Sequence, residues 1–152
     1  MKSMILAGAA VAVASVANAG VIATLPPNNG SGGVFMELTP TGPGLLLTSF
    51  AGYFSGSAGL SGSVQVWTRP GTYSGFTASN AGWTLHDTVT VTSAGSAVLS
   101  AHTSFNVPVP IPGGGTTSVL LHGTVAASQL RYQGTGTTST SRGRRPWVAT
   151  TS

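Results

Sequence analysis

Apolar and polar positions alternate along this chain in short runs, each closed by a turn signal. The runs are Val34 to Leu38, Leu45 to Phe54, Ser63 to Thr68, Trp83 to Thr92, Ala97 to Thr103, Phe105 to Val109, Thr117 to Val125 and Gln129 to Tyr132. Between them stand Asn29-Gly30, Pro43-Gly44, Pro70-Gly71, Pro112-Gly113 and glycine-rich pieces. Such pairs supply the positive φ angles and preset turns that hairpins need. Repeated short strands with this punctuation predict an all-β fold, an antiparallel β-sandwich of jelly-roll-like kind.

Two runs show their faces clearly. In Trp83 to Thr92, Trp83, Leu85, Val89 and Val91 fall on one side with Asp87 as the exception. Thr84, His86, Thr88, Thr90 and Thr92 fall on the other. This predicts a half-buried strand with a hydroxyl-covered outer face. Val64 and Val66 likewise share a face opposite Ser63, Gln65 and Trp67. Gly56 to Gly62 is too flexible for a strand and is expected to be a loop, and no helix after the N-terminal segment passes a capping or periodicity test.

The N-terminus departs from this pattern. Met1-Lys2 gives a positive start, Ile5 to Val16 is an apolar run, and Ala17-Asn18-Ala19 has the small-x-small form of a signal-peptidase site. A run of about a dozen apolar residues is too short to span a bilayer, which needs about 20. Residues 1–19 are therefore expected to be a cleaved signal peptide and 20–134 the β-sandwich domain. No stable membrane span is expected after cleavage, and the protein is placed outside the cell or at its surface. The chain has no Cys, so an exported fold must be held by packing and sheet hydrogen bonds.

Composition narrows the chemistry. Of 152 residues, 22 are Gly, 9 are Pro, 40 are Ser or Thr, and only 8 carry a formal charge. That is 5 % charged against the roughly 25 % usual for soluble domains, so hydroxyls must hydrate the surface. With 41 % hydrophobic residues the chain has the material for a core that disordered chains lack. The net charge of +4 is confined to the ends: Lys2 at one, and Arg142, Arg144 and Arg145 at the other. From Gly20 to Ser141, Arg69 and Arg131 balance Glu37 and Asp87. No basic face with interleaved aromatics exists, so nucleic acid is not an expected partner.

A resemblance enters at Val66-Trp67-Thr68-Arg69-Pro70-Gly71-Thr72-Tyr73-Ser74-Gly75-Phe76, followed by Ala81-Gly82-Trp83-Thr84-Leu85 and Thr90-Val91-Thr92-Ser93-Ala94-Gly95. This series resembles the repeated core of a loosely defined group of exported bacterial proteins of unassigned function, several of which carry a PEP-CTERM sorting tail. The resemblance spans roughly residues 45–134, with weaker matches at Ile111-Pro112-Gly113-Gly114 and Arg131-Tyr132-Gln133-Gly134. It implies a secreted β-sandwich with no known catalytic residues. After Gly134 the chain departs from the group: Arg142-Gly143-Arg144-Arg145 has no apolar helix before it. Residues 135–152 are expected to be a disordered basic tail, left by a shortened or frame-shifted reading frame.

Candidate chemistry is sparse. His86, His102 and His122 lie on or near predicted strands and are weak candidates for a three-His metal site, but they form no local motif. The reading is therefore no metal and no cofactor. Adjacent His86 and Asp87 point to opposite faces of a strand and cannot pair as base and orienter without a bulge. Glu37 and Asp87 would have to converge for glycosidase chemistry. Aromatics carry the binding candidate: Trp67, Tyr73, Phe76 and Trp83 cluster around one Pro-Gly turn, where exposed rings would stack on sugars. Trp83's face favours the core and Tyr73, in the turn, is the ring expected to be exposed, with Trp67, Tyr73 and Trp83 as the candidate binding residues. The sequence points to a non-enzymatic structural protein of the cell surface or extracellular matrix. The alternatives are a polysaccharide-binding or adhesion module and a metal-dependent enzyme. With few charges to guard its edge strands, the body is also expected to self-associate.

Overall fold

The computed structural model describes residues 18–23, 27–30 and 32–132. Along the chain run β1 (Asn18–Ala23), β2 (Asn29–Gly30), β3 (Gly33–Leu38), β4 (Gly44–Ala51), β5 (Tyr53–Phe54), β6 (Ser61–Pro70), β7 (Thr84–Thr92), β8 (Thr103–Pro112), β9 (Thr117–Gly123) and β10 (Leu130–Tyr132). A 3-10 turn, Ala126–Ser128, precedes β10. The expected leader lies outside the described residues except for Asn18 and Ala19, and so does the expected tail.

Three sheets result. A four-stranded antiparallel sheet has the order β3-β9-β6-β7, and a three-stranded one the order β1-β4-β8. A small third sheet joins β2, β10 and β5. β1 pairs with β4 in parallel, whereas the other strand pairs among the described residues are antiparallel. Leu47 and Phe50 of β4 and Phe105, Val109 and Ile111 of β8 pack against Val34, Val64, Val66, Val89, Val91, Val119 and Leu121 of the larger sheet. The core thus lies between two facing sheets, and the fold is all-β and sandwich-like. Each such side chain, fully buried, contributes about 1.5–3 kcal/mol, which is how a disulfide-free chain holds together.

Period-2 alternation explains the larger sheet. Val64 and Val66 are fully buried between the sheets, and Gln65 and Trp67 lie on the opposite face. Two expected runs come out differently. Leu45 to Phe54 breaks at Gly52, where the Leu130 side chain and the Phe54 ring lie 3.6 Å from where a Cβ would sit, and Tyr53–Phe54 leaves β4 to pair with β10. Ala97 to Thr103 is no strand before Thr103. Its hydrogen bonds go to local partners and to Gly52: Val98 N–H to Gly95 O, Ser100 N–H to Gly52 O, and Ala94 N–H to Ser100 Oγ.

The two large sheets are closed along one side by β7 and β8. β8 keeps register with β4 at Val109 opposite Leu47 and at Ser104 opposite Ser49, so residues 105–108 face Thr48 alone and form a bulge, from which Phe105 still points into the core. That bulge meets a second one in β7, where Val66 of β6 opposes Asp87 while Trp67 opposes Leu85, leaving His86 as the extra residue. The bulge changes which side chains share a face. Val89 and Val91 point into the main core, Leu85 is 45 % exposed, and Trp83 packs in a separate cluster.

Candidate functional site

The outer face of the four-stranded sheet carries a second apolar cluster: Phe35 of β3, Leu120 of β9, Trp67 of β6, and Trp83 at the end of the β6–β7 loop, with Tyr73 packed against them. Phe35 opposes Leu120 and Leu120 opposes Trp67, so one row across the sheet is apolar. Residues 71–83 fold back over this row as a lid. Phe35 stacks on Tyr73 at 5.5 Å between centroids and meets Trp83 at 5.6 Å in a tilted contact.

Polar bonds from the neighbouring row hold the lid down. Glu37 and Arg69 both oppose Ser118. Glu37 accepts hydrogen bonds from the Thr72 hydroxyl and from the Tyr73 N–H at 3.1 Å. Ser118 donates to Gly71 O at 2.6 Å. Arg69 places its guanidinium carbon 3.3 Å from the centroid of the Phe76 ring and 6.0 Å from that of Trp83. Its Nη1 is buried and has no hydrogen-bond partner among the described residues, so the cation is held against ring faces. Such cation–π contacts are worth up to about 2 kcal/mol when desolvated.

The candidate rings Trp67, Tyr73 and Trp83 are therefore brought together, but as a packed unit. Trp67 and Trp83 are each 8 % exposed. Trp83 donates its indole N–H to Phe76 O at 2.7 Å, and Trp67 donates to Gln65 Oε1 at 3.2 Å. Tyr73 is half-buried. Phe76, part of the same aromatic cluster in the sequence but not one of the three candidate rings, is the more open at 39 %. Phe35, Glu37 and Arg69 were missed as parts of this cluster. Two-residue spacing in β3 puts Phe35 and Glu37 on the face opposite Val34, and that was the available signal.

The three candidate histidines are kept apart. His122 sits on β9 beside Gln65, with Nδ1 3.5 Å from Gln65 Oε1, and burial pushes its pKa down. His102 is exposed in the segment before β8. His86 Nε2 lies 3.2 Å from the carbonyls of both Val107 and Pro108. Among the described residues, no group of three His, Cys, Asp or Glu could hold a metal ion.

Asp87 corrects the expectation that it and His86 face opposite ways. With the β7 bulge between them, both reach the β8 bulge. The Asp87 carboxylate accepts N–H bonds from Asn106 at 2.7 Å, Val107 at 3.2 Å and Thr88 at 2.7 Å, and a side-chain bond from Asn106 Nδ2 at 3.0 Å. Burial alone would raise its pKa, but the Asn106 side chain and the three backbone donors outweigh it and hold the carboxyl below its usual value. Glu37 and Asp87 stand on opposite edge strands of one sheet. Three strand spacings separate them by roughly 14 Å, beyond the roughly 5–9.5 Å over which paired carboxylates cleave glycosides. Both acids serve as acceptors that pin a loop or a bulge.

Comparison of the chain with family models, with curated proteins and with solved structures finds no match.

Proposed function

We propose that this chain is an exported, non-enzymatic structural protein of the cell surface or extracellular matrix, matured by removal of residues 1–19. The observation that carries the reading is the outer aromatic cluster, in which both indole N–H groups bond internally and the rings pack on each other beneath the lid. A ligand platform would leave such rings and donors facing solvent. The use of both acids as structural acceptors supports the same reading, as does the hydroxyl-rich surface. Among the described residues no helix is long and apolar enough to cross a membrane.

Cleavage before Gly20 falls inside β1. It would leave Gly20, Val21, Ile22 and Ala23 paired with Leu47, Ser49, Phe50 and Ala51, so most of the parallel strand survives maturation. Expression with the native leader in a bacterial host, followed by fractionation and N-terminal sequencing, tests the reading. The expected product begins at Gly20 and is recovered from the surface or extracellular fraction. An intact N-terminus at Met1 in the soluble cytoplasm would overturn it.

A second reading, a polysaccharide-binding or adhesion module, is favoured by one observation: Phe76 is 39 % exposed beside the half-buried Tyr73. These two rings, rather than Trp67 and Trp83, would form its stacking surface.

A further inference from the structure

Asn29 and Gly30 form the short strand β2, which pairs with β10 through Asn29 opposite Tyr132 and Gly30 opposite Arg131. Both residues are exposed. The Gly30 N–H donates to the side-chain Oδ1 of Asn29 at 2.8 Å. Because Oδ1 is bonded to Cγ, the contact keeps the Asn29 carboxamide beside the Gly30 nitrogen, and rotation about the Asn29 side chain is all that is needed to present Cγ to that nitrogen. Gly30 has no side chain to obstruct that approach.

We propose that Asn29 is a site of spontaneous covalent modification, converting to aspartate and isoaspartate through a cyclic imide. The Gly30 amide nitrogen loses its proton and attacks Cγ of Asn29. The N–Cγ bond forms, the Cγ–Nδ2 bond breaks, and Nδ2 leaves as ammonia with the transferred proton. Water then opens the five-membered ring at either carbonyl. One opening gives aspartate; the other gives isoaspartate, with the backbone routed through the former side chain. No oxidation or reduction occurs, and water is the only co-reactant.

Two consequences follow from the position. A carboxylate appears in β2, whose Gly30 pairs with Arg131, in a body whose four formal charges otherwise cancel. The isoaspartyl form also lengthens the β2 backbone by one methylene, so Asn29 and Tyr132 can no longer keep their register. The Asn28 N–H to Tyr132 O bond at 3.3 Å would go with it. Modification would thus release β2 from β10 while leaving the two large sheets in place. It also abolishes the Asn29-Gly30-Ser31 glycosylation sequon, since both reactions consume the same amide.

The test is incubation of the purified full-length protein at mildly alkaline pH, followed by peptide mapping with an isoaspartate-specific methyl-transfer assay. Asn80 and Asn106 serve as internal comparators: Asn106 is followed by Val107, and its Nδ2 is bound to Asp87. The expected result is conversion at Asn29 well ahead of both, with isoaspartate present and with faster amide exchange in residues 130–132. A Cβ at Gly30 would meet nothing closer than 3.8 Å, so Gly30→Ala should fold normally while slowing conversion at least about tenfold. Asn29→Asp supplies the charge without the added methylene and should leave exchange in 130–132 unchanged. Conversion at Asn29 no faster than at Asn80, or an unchanged rate in Gly30→Ala, would overturn the proposal.

Discussion

Asp87 is one of two acids in the chain, and its carboxylate accepts bonds from both bulges that meet at the β7–β8 seam. Hydrogen bonds to a charged group typically contribute about 1.5–3 kcal/mol. Asp87→Ala is therefore expected to lower unfolding stability by about 2 kcal/mol, read as a shift of the urea midpoint at unchanged slope. The sign of the pH effect follows from its lowered pKa. The contribution is complete above the ordinary carboxylate value, about 3.9, and is lost as pH falls through the lower folded value. His122 behaves similarly in a higher window. Burial disfavours its charged form, so stability is complete above about 6.5 and declines as pH falls from there toward its folded pKa. Thermal unfolding against pH should show both limbs, and His122→Gln should remove the upper one alone.

At the scale of elements, the lid and the turn before β10 are the sensitive parts. Trp83 fills the outer cluster, and Trp83→Ala is expected to cost about 3 kcal/mol or more, with amide protection in residues 71–82 falling before that of β6 or β9. Gly123 is tighter still: a Cβ there would lie 2.0 Å from the backbone oxygen of Ser128, which no rotamer change relieves. Gly123→Ala should cost about 3 kcal/mol by denaturant titration.

The existence of most strands and the inward face of β6 were legible, because Val64 and Val66 alternate with Ser63 and Gln65. The inward face of β9 was not, because Leu120 is as apolar as Val119 and Leu121 and both faces of the strand are buried. Nor was the β7 bulge. One extra residue at His86 reverses the faces, and nothing in Trp83 to Thr92 marks it except Asp87 standing where an apolar residue was due. Ala97 to Thr103 has the apolar pattern of a strand in Val98 and Leu99 but does not form one before Thr103. Those two residues are 54 % and 40 % exposed in a segment bonded locally and to Gly52. The clustering of Trp67, Tyr73 and Trp83 was visible in the sequence, but their burial was not, since it depends on Phe35 and Leu120 from distant strands.

For the whole molecule, edges govern behaviour. β7 and β8 close one side through Asp87 and His86, whereas β3 and β1 are the outermost strands of their sheets on the other. β3 carries no Lys or Pro, and the carboxylate of Glu37 is committed to the lid, so neither usual guard protects that edge. Sedimentation velocity of the protein beginning at Gly20 is expected to show association that grows with concentration. A monodisperse monomer at high concentration would contradict this.

The central claim is that the outer aromatic cluster serves the fold rather than a ligand. Retention of the protein beginning at Gly20 on a panel of immobilised polysaccharides tests it most directly, with Tyr73→Ala and Phe76→Ala run beside it. The account expects no retention above that of an inert matrix for any of the three proteins. Retention of the wild type on a defined glycan, abolished by either substitution in a protein that still folds, would contradict it.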